Sequence, residues 1–273
     1  MPSLTVNRAR LHYEVRGSGT ETIVFAHGLL MSGRMFDAQT RALADRCRTI
    51  AFDFRGQGES EETAAGYDMD SLARDAAALI QALGAAPCHF VGLSMGGFVG
   101  LRLAAREPEL LRTLTLIGSS AEPEPADNVP RYRRLALVSR WLGMAPVVSR
   151  VMPILFGRSF LADPAREPER RHWQQHLRQL RRRGTYRAAR GAIERAGVEA
   201  ELRRIRVPTL LIVGDEDVAT PPARSERMLR ALPTSSLVVV PRAGHSATLE
   251  QPEAVTTALR RFLDRQAQPS LTG

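Results

Sequence analysis

A serine between two glycines, Gly92-Leu93-Ser94-Met95-Gly96, is the stretch of this chain best equipped to do chemistry. It follows the apolar run Cys88–Val91 and precedes a helical pattern. That is the strand–turn–helix setting in which the serine of G-x-S-x-G acts as a nucleophile. The turn must be tight and strained to lift the hydroxyl clear of a sheet. Glycine at 92 and 96 leaves room where strand and helix pack closely. The N-terminus of the following helix favours negative charge developing on a bound carbonyl.

A serine hydroxyl is a poor nucleophile at neutral pH without a base, and the base needs an orienting acid. His245 suits the first role, in Arg242-Ala-Gly-His-Ser246, between the last strand-like run and the last helical pattern. The other histidines fit less well. His12 comes early, His27 precedes a glycine turn, His89 lies inside the strand leading to Ser94, and His172 and His176 fall in a helical stretch. His27 and His89 read as structural. The acid belongs between nucleophile and base in the chain order Ser…Asp…His. Asp217 is chosen from Gly214-Asp215-Glu216-Asp217, because the loop must run past its strand to reach the imidazole; Asp215 is the alternative. The tetrahedral intermediate needs two oxyanion donors. One is the Met95 N–H, next to the nucleophile, and the other is the Leu29 N–H in His27-Gly28-Leu29. Losing one such donor costs ~3 kcal/mol of transition-state stabilisation.

These groups must be held by a scaffold, and the rest of the chain supplies its pattern. Apolar, β-branched runs recur at Leu11–Val15, Thr22–Ala26, Thr49–Phe52, Cys88–Val91, Thr113–Ile117, Thr209–Val213 and Leu237–Val240. Several are continuously apolar, as strands covered on both faces are. Helical patterns lie at about 34–45, 70–83, 96–106, 223–232 and 252–266. Asp70 or Ser71 is placed to cap the second, and Pro252 suits the first turn of the last. The alternation predicts an α/β fold with a doubly wound, mostly parallel sheet. The rhythm breaks after Ile117, where residues 128–204 read as helix without a strand. The predicted organisation is a core from residues 1–121 and 205–266, an inserted α-helical lid at 122–204, and a loose tail at 267–273.

Composition narrows the classes. A hydrophobic content of 44% and a charged content of 25% are those of an ordinary globular protein. No run reaches the ~18–20 apolar residues of a membrane span, so no membrane partner is expected. The N-terminus has no apolar segment of a secretory signal, and Cys47 and Cys88 read as small core residues. Both point to the cytoplasm. All 38 basic residues are arginine. Nineteen of them lie in 122–206 against nine acidic residues, so that segment nets +10 while the rest nets −1. A solvated helical surface is the plainest reading; an arginine that binds a substrate carboxylate is a second. Nucleic acid is not expected, because no recognition motif or interleaved aromatic platform accompanies the charge.

In order and spacing, HGLLMSGRMF at 27–36, AFDFRGQGES at 51–60, HFVGLSMGG at 89–97, LLIVGDEDVATP at 210–221 and RAGHSATLEQPE at 242–253 together resemble the α/β-hydrolase superfamily. The likeness is to the branch with a helical cap after the sixth strand, and it covers nearly the whole chain. It implies Ser94, Asp217 and His245 as the triad and Leu29 and Met95 as oxyanion-hole residues. Asp53, Arg55, Gly56 and Gly58 match a mainly structural turn, and Phe36 stands where many relatives have tryptophan. Within the superfamily the chain is similar to small esterases, 3-oxoadipate enol-lactonases and haloperoxidase-type esterases. Serine at 94, in place of aspartate, argues against dehalogenase and epoxide hydrolase chemistry. The expected reaction is hydrolysis of a small ester or lactone through an acyl-enzyme, without metal or organic cofactor. Carbon–carbon bond hydrolysis, perhydrolysis and a non-catalytic receptor role are the alternatives. The lid, with Trp141, Phe156, Phe160, Trp173 and several methionines and leucines, is expected to form much of the pocket, although for any one of these residues packing in the core of the cap is the plainer reading; a homo-oligomer is left open.

Overall fold

Side chains that point alternately to opposite faces along buried strands build two cores on one sheet. In the computed structural model, which describes residues 2–267, eight strands run β1 (Ser3–Val6), β2 (Ala9–Arg16), β3 (Glu21–Ala26), β4 (Cys47–Phe52), β5 (Cys88–Leu93), β6 (Leu111–Ile117), β7 (Thr209–Gly214) and β8 (Ser235–Val240). They form a single sheet in the order β1-β2-β4-β3-β5-β6-β7-β8. β1 and β2 are antiparallel additions at one edge, and β4 through β8 pair in parallel. Val24 and Ala26 of β3 join one hydrophobic cluster, and Ile23 and Phe25 join the other. This is the period-two alternation of a strand buried on both faces.

Helices cover both sides. α1 (Asp37–Leu43), α2 (Met69–Ala82) and α3 (Met95–Arg106) belong to the first half of the chain. Between β6 and β7 come α4 (Val129–Leu142), α5 (Val148–Leu155), α6 (Arg158–Ala162), α7 (Glu167–Gln179) and α8 (Arg182–Ile193). No strand interrupts them among the described residues. The chain closes with α9 (Pro222–Ala231), α10 (Ala247–Glu250) and α11 (Pro252–Ala267). Leu72 and Ile80 of α2 and Val99 and Leu103 of α3 pack in the first cluster; Leu43 of α1 and Val255, Leu259 and Phe262 of α11 pack in the second. The sheet is therefore doubly wound and mostly parallel, as the pattern predicts.

Local differences from the sequence reading have local causes. β1 is four residues long and largely exposed, so it carries no hydrophobic run to detect. Neither Asp70 nor Ser71 caps α2. Asp68 does, in an extended conformation, accepting the Ser71 N–H at 2.8 Å. Asp70, inside the first turn, instead accepts from Arg102 at 2.7 Å. The predicted tail, 267–273, overlaps the description only at Ala267, the end of α11; its other residues lie outside the described ones.

One buried ion pair fixes the loop after β4. Arg55 Nε and Nη2 donate to the two oxygens of Asp75 in α2, at 2.7 and 2.6 Å, with side chains 7% and 1% exposed. Burial pushes the Asp75 carboxyl up, and the Arg55 guanidinium opposes that. Replacing Asp75 with alanine strands a buried cation, which typically costs about 3–5 kcal/mol. The expected outcome for Asp75→Ala is a melting temperature lower by on the order of 10 °C. An unchanged thermal unfolding curve would show that the pair is not a fixing element.

Candidate active site

The C-terminal ends of parallel strands bring the chemistry-bearing loops together. Ser94 follows β5, Asp217 follows β7, His245 follows β8, and the segment His27–Leu30 follows β3. Ser94 has φ 51° and ψ −111°, a strained backbone that turns β5 directly into α3. Its own N–H donates to the Ile117 carbonyl at 2.8 Å, tying the turn to β6. The flanking glycines are forced by close approach. A Cβ on Gly92 would sit 2.3 Å from the Gly96 carbonyl oxygen, and one on Gly96 would sit 2.0 Å from that of Ala26.

Asp217 and His245 meet in the interior. His245 Nδ1 lies 2.9 Å from Asp217 Oδ2, and the two residues are 6% and 3% exposed. An ionised carboxylate only accepts, so Nδ1 carries the hydrogen and Nε2 keeps its lone pair. Asp217 is itself held. Its Oδ1 accepts the Ala219 and Thr220 amides at 2.9 and 2.8 Å, and its Oδ2 accepts the Thr220 hydroxyl at 2.9 Å. Asp215 is exposed and reaches only the Ala243 amide, at 3.4 Å. Burial lowers the His245 pKa; the Asp217 charge and hydrogen bond, aided by Glu250 and Glu124, outweigh it, so the net displacement is upward from 6.5.

The two backbone donors expected from sequence flank this arrangement. Around Leu29, the Leu30 N–H is taken by Gln57 Oε1 at 2.9 Å and the Met31 N–H by the Gly28 carbonyl at 3.3 Å. Beyond Met95, the Gly96 N–H donates to His27 and the Gly97 N–H to Ser94. Among the described residues, the N–H groups of Leu29 and Met95 make no hydrogen bond within the chain, while the amides on either side of each are taken. His27 shapes the first turn: Nδ1 bonds the Gly28 carbonyl at 2.7 Å, and Nε2 accepts the Phe54 N–H at 3.0 Å. Burial lowers its pKa, more than the Asp53 charge raises it, consistent with a neutral ring. The other histidines lie elsewhere. His89 bonds Thr113 and His12 bonds the Pro2 carbonyl. His176 of α7 bonds the Leu30 carbonyl at 3.0 Å, linking the helical segment to the Leu29 turn.

Ser94, His245, Leu29 and Met95 all border one cavity of about 150 Å³. Its far wall comes from α4, α5 and α8, chiefly Leu135, Ala136, Val151, Leu155, Ala189 and Ile193. Leucines and a methionine of the helical segment, Leu135, Leu155 and Met144, do line the cavity, as expected, whereas Trp141, Phe156, Phe160 and Trp173 do not. Trp141 is 64% exposed. Phe156 and Phe160 stack on each other at 4.7 Å within the second core, with Trp173 against Phe156. Small and aliphatic side chains face the site because tightly packed helices place them there, and the large rings fill the space behind. Of the many arginines at 122–206, Arg195 alone reaches the cavity. It is 7% exposed, lies over the Phe98 ring at 4.1 Å and donates to Glu124 at 3.1 Å.

Glu250 escaped the sequence reading, although it stands in the quoted segment RAGHSATLEQPE. Its Oε2 accepts the Gly244 N–H at 3.0 Å, beside His245, and the Gly157 N–H at 2.8 Å, at the start of α6. One carboxylate thus joins the histidine loop to the helical segment. Burial pushes its pKa up to about 7 against the pull of those two amides. Nothing in its sequence surroundings marks it, because both partners are backbone amides and one of them, Gly157, comes from a different part of the chain.

Comparison with known proteins places this geometry among relatives. A family model described as "Alpha/beta hydrolase family" matches residues 23–258. A curated Caulobacter sp. (strain K31) protein named "Putative carbamate hydrolase RutD" is 31% identical, covering 94% of this chain and 97% of that protein. Among solved structures, a thermophilic esterase from Thermogutta terrifontis, with malate bound, superposes with a TM-score of 0.90 at 31% identity, covering 98% of this chain and 100% of its own. The enol-lactonase from Burkholderia xenovorans LB400 gives 0.88 at 29% identity, covering 96% and 100%.

Proposed function

We propose, for a chain that belongs to the alpha/beta hydrolase family and is a hydrolase, that it cleaves small carboxylic esters or lactones through an acyl-enzyme on Ser94. The observation that carries this is the pairing of His245 with Asp217 on the cavity that Ser94 borders, with two uncommitted amides beside it. Ser94 Oγ attacks the carbonyl carbon while His245 Nε2 takes its proton. The N–H groups of Leu29 and Met95 hold the oxyanion. His245 then protonates the leaving oxygen and the acyl group stays on Ser94; a water deprotonated by His245 attacks the acyl carbon, and His245 returns that proton to Ser94 Oγ as the acid is released. Asp217 keeps the imidazole in the tautomer this needs and stabilises the imidazolium.

In this reading residues 122–204 are a cap over a core formed by 1–121 and 205–266, and the cap sets specificity. A cavity of about 150 Å³ with an aliphatic wall suits a short acyl or alcohol group. The Arg195 charge faces Glu124, so the lining favours uncharged over anionic substrates. A carbamate carbonyl is open to the same attack, and the 31% identical relative named for that activity makes it the second reading. A panel of short neutral esters, carboxylate-bearing esters, lactones and carbamates decides among these. Turnover highest for short neutral esters or lactones supports the proposal; turnover confined to carbamates replaces it with the second reading.

The pH dependence has a defined sign. His245 acts as a base only when neutral, and its pKa lies above 6.5. The expected kcat/KM therefore falls on the acid side, with its midpoint above 6.5. A rate flat across this window in pre-steady-state acylation would remove His245 as the base.

A further inference from the structure

The outer face of α4 serves none of the roles above. Six large hydrophobic residues are conspicuously exposed among the described ones, and three of them fall within one short stretch: Leu137, Trp141 and Leu142, at 50%, 64% and 64%. Isolated exposed side chains need no explanation, but a cluster marks a contact surface. At 100° per residue, Leu137 and Trp141 share a face with Arg133, Arg134 and Arg140. The opposite face, with Tyr132, Leu135, Ala136 and Ser139, lines the cavity. The neighbouring α8 contributes more charge, and Arg182 Nη1 donates to the Trp141 carbonyl at 3.0 Å. Together α4 and α8 contain eight arginines and no acidic residue. Glu194, just past α8, pairs with Arg133 and Arg190, and Arg187 turns away to the Thr63 carbonyl; Arg134, Arg140, Arg182 and Arg183 have no carboxylate partner among the described residues.

We propose that the α4–α8 face docks peripherally on a membrane surface rich in anionic phospholipid. Arginine, tryptophan and leucine on one helix face form the chemistry of an interfacial anchor: the guanidiniums meet headgroup phosphates while Trp141 and Leu137 enter the acyl boundary. Charge disfavours a second copy of the chain, since a two-fold contact would bring the same arginines together. A nucleic acid would satisfy the guanidiniums but gains nothing from burying Leu137. No helix among the described residues is long and apolar enough to cross a membrane, and a surface contact needs none.

Co-sedimentation of the full chain with vesicles tests this, using phosphatidylcholine alone and phosphatidylcholine mixed with phosphatidylglycerol. Binding is expected only to the mixed vesicles, weakened by high salt and accompanied by a blue shift of tryptophan emission. The double variant Leu137→Ala/Trp141→Ala is expected to bind at least about tenfold more weakly. Its hydrolysis of a water-soluble ester without vesicles stays at the wild-type rate, which separates lost docking from lost folding. Equal binding to both vesicle types, no binding to either, or unchanged binding by the double variant overturns the proposal. So does self-association that vanishes in the double variant, or tighter binding to single-stranded DNA than to the mixed vesicles.

Discussion

Ser94→Ala is expected to lower kcat for a small ester by about 10⁴- to 10⁶-fold while leaving the fold intact. At 1.36 kcal/mol per tenfold, that is roughly 5–8 kcal/mol of barrier. In the proposed mechanism the loss is large because nucleophile, base and the base's partner act as a unit, so removing one idles the others. The remaining rate comes from the oxyanion donors and the cavity, which the variant keeps. Alanine at 94 inherits the same φ of 51° and loses only the hydroxyl, for which no intrachain bond is needed to hold the turn: the Ser94 N–H and carbonyl do that. Thermal unfolding should therefore match the parent. Burst kinetics with a chromogenic ester give the second readout, since acylation disappears with the hydroxyl. Parent-like turnover in the purified variant would transfer the chemistry to another residue.

The second large effect is expected from Asp217→Asn, about 10⁴-fold in kcat. The local hydrogen bonds dictate how the amide must sit. The position of Oδ1 receives two backbone N–H groups, from Ala219 and Thr220, and only an oxygen can accept them. The amide NH2 is thereby turned toward His245 Nδ1. It donates there, the imidazole hydrogen moves to Nε2, and no lone pair faces the Ser94 proton. The acid limb of the pH profile should shift as well. Burial lowers the His245 pKa and the Asp217 charge is the main opposing influence. Without that charge the limb moves to lower pH, opposite in direction to its position in the parent. A variant with parent-like kcat, or with its limb unmoved, would show that Asp217 does not govern the imidazole.

Some of this arrangement is legible in the chain because it is written in local pattern. The serine turn announces itself through its glycines, and the structure shows the contacts that exclude any other residue at Gly92 and Gly96. The long buried strands appear as apolar runs, while β1 does not, being short and exposed. The choice between Asp215 and Asp217 rests on loop length in the sequence, and on burial in the structure. Other features have no local signature. Glu250 acts through two amides, Gln57 through the Leu30 amide, and His176 through the Leu30 carbonyl. The helical segment between β6 and β7 is harder to read than the sheet. Nothing in its pattern separates the leucines and Met144 that face the cavity from Phe156, Phe160 and Trp173, which pack behind, or from Trp141, which is exposed.

The sequence by itself determined which side chains carry reactive groups and which segments are strand or helix, since both depend on residue type and short-range periodicity. Only the tertiary structure decided which of them meet. The sheet order, with β3 beside β5 and β7 beside β8, sets the loops of Leu29, Ser94, Asp217 and His245 along one edge. That order is a property of long-range pairing, which residue spacing along a single strand or helix does not encode.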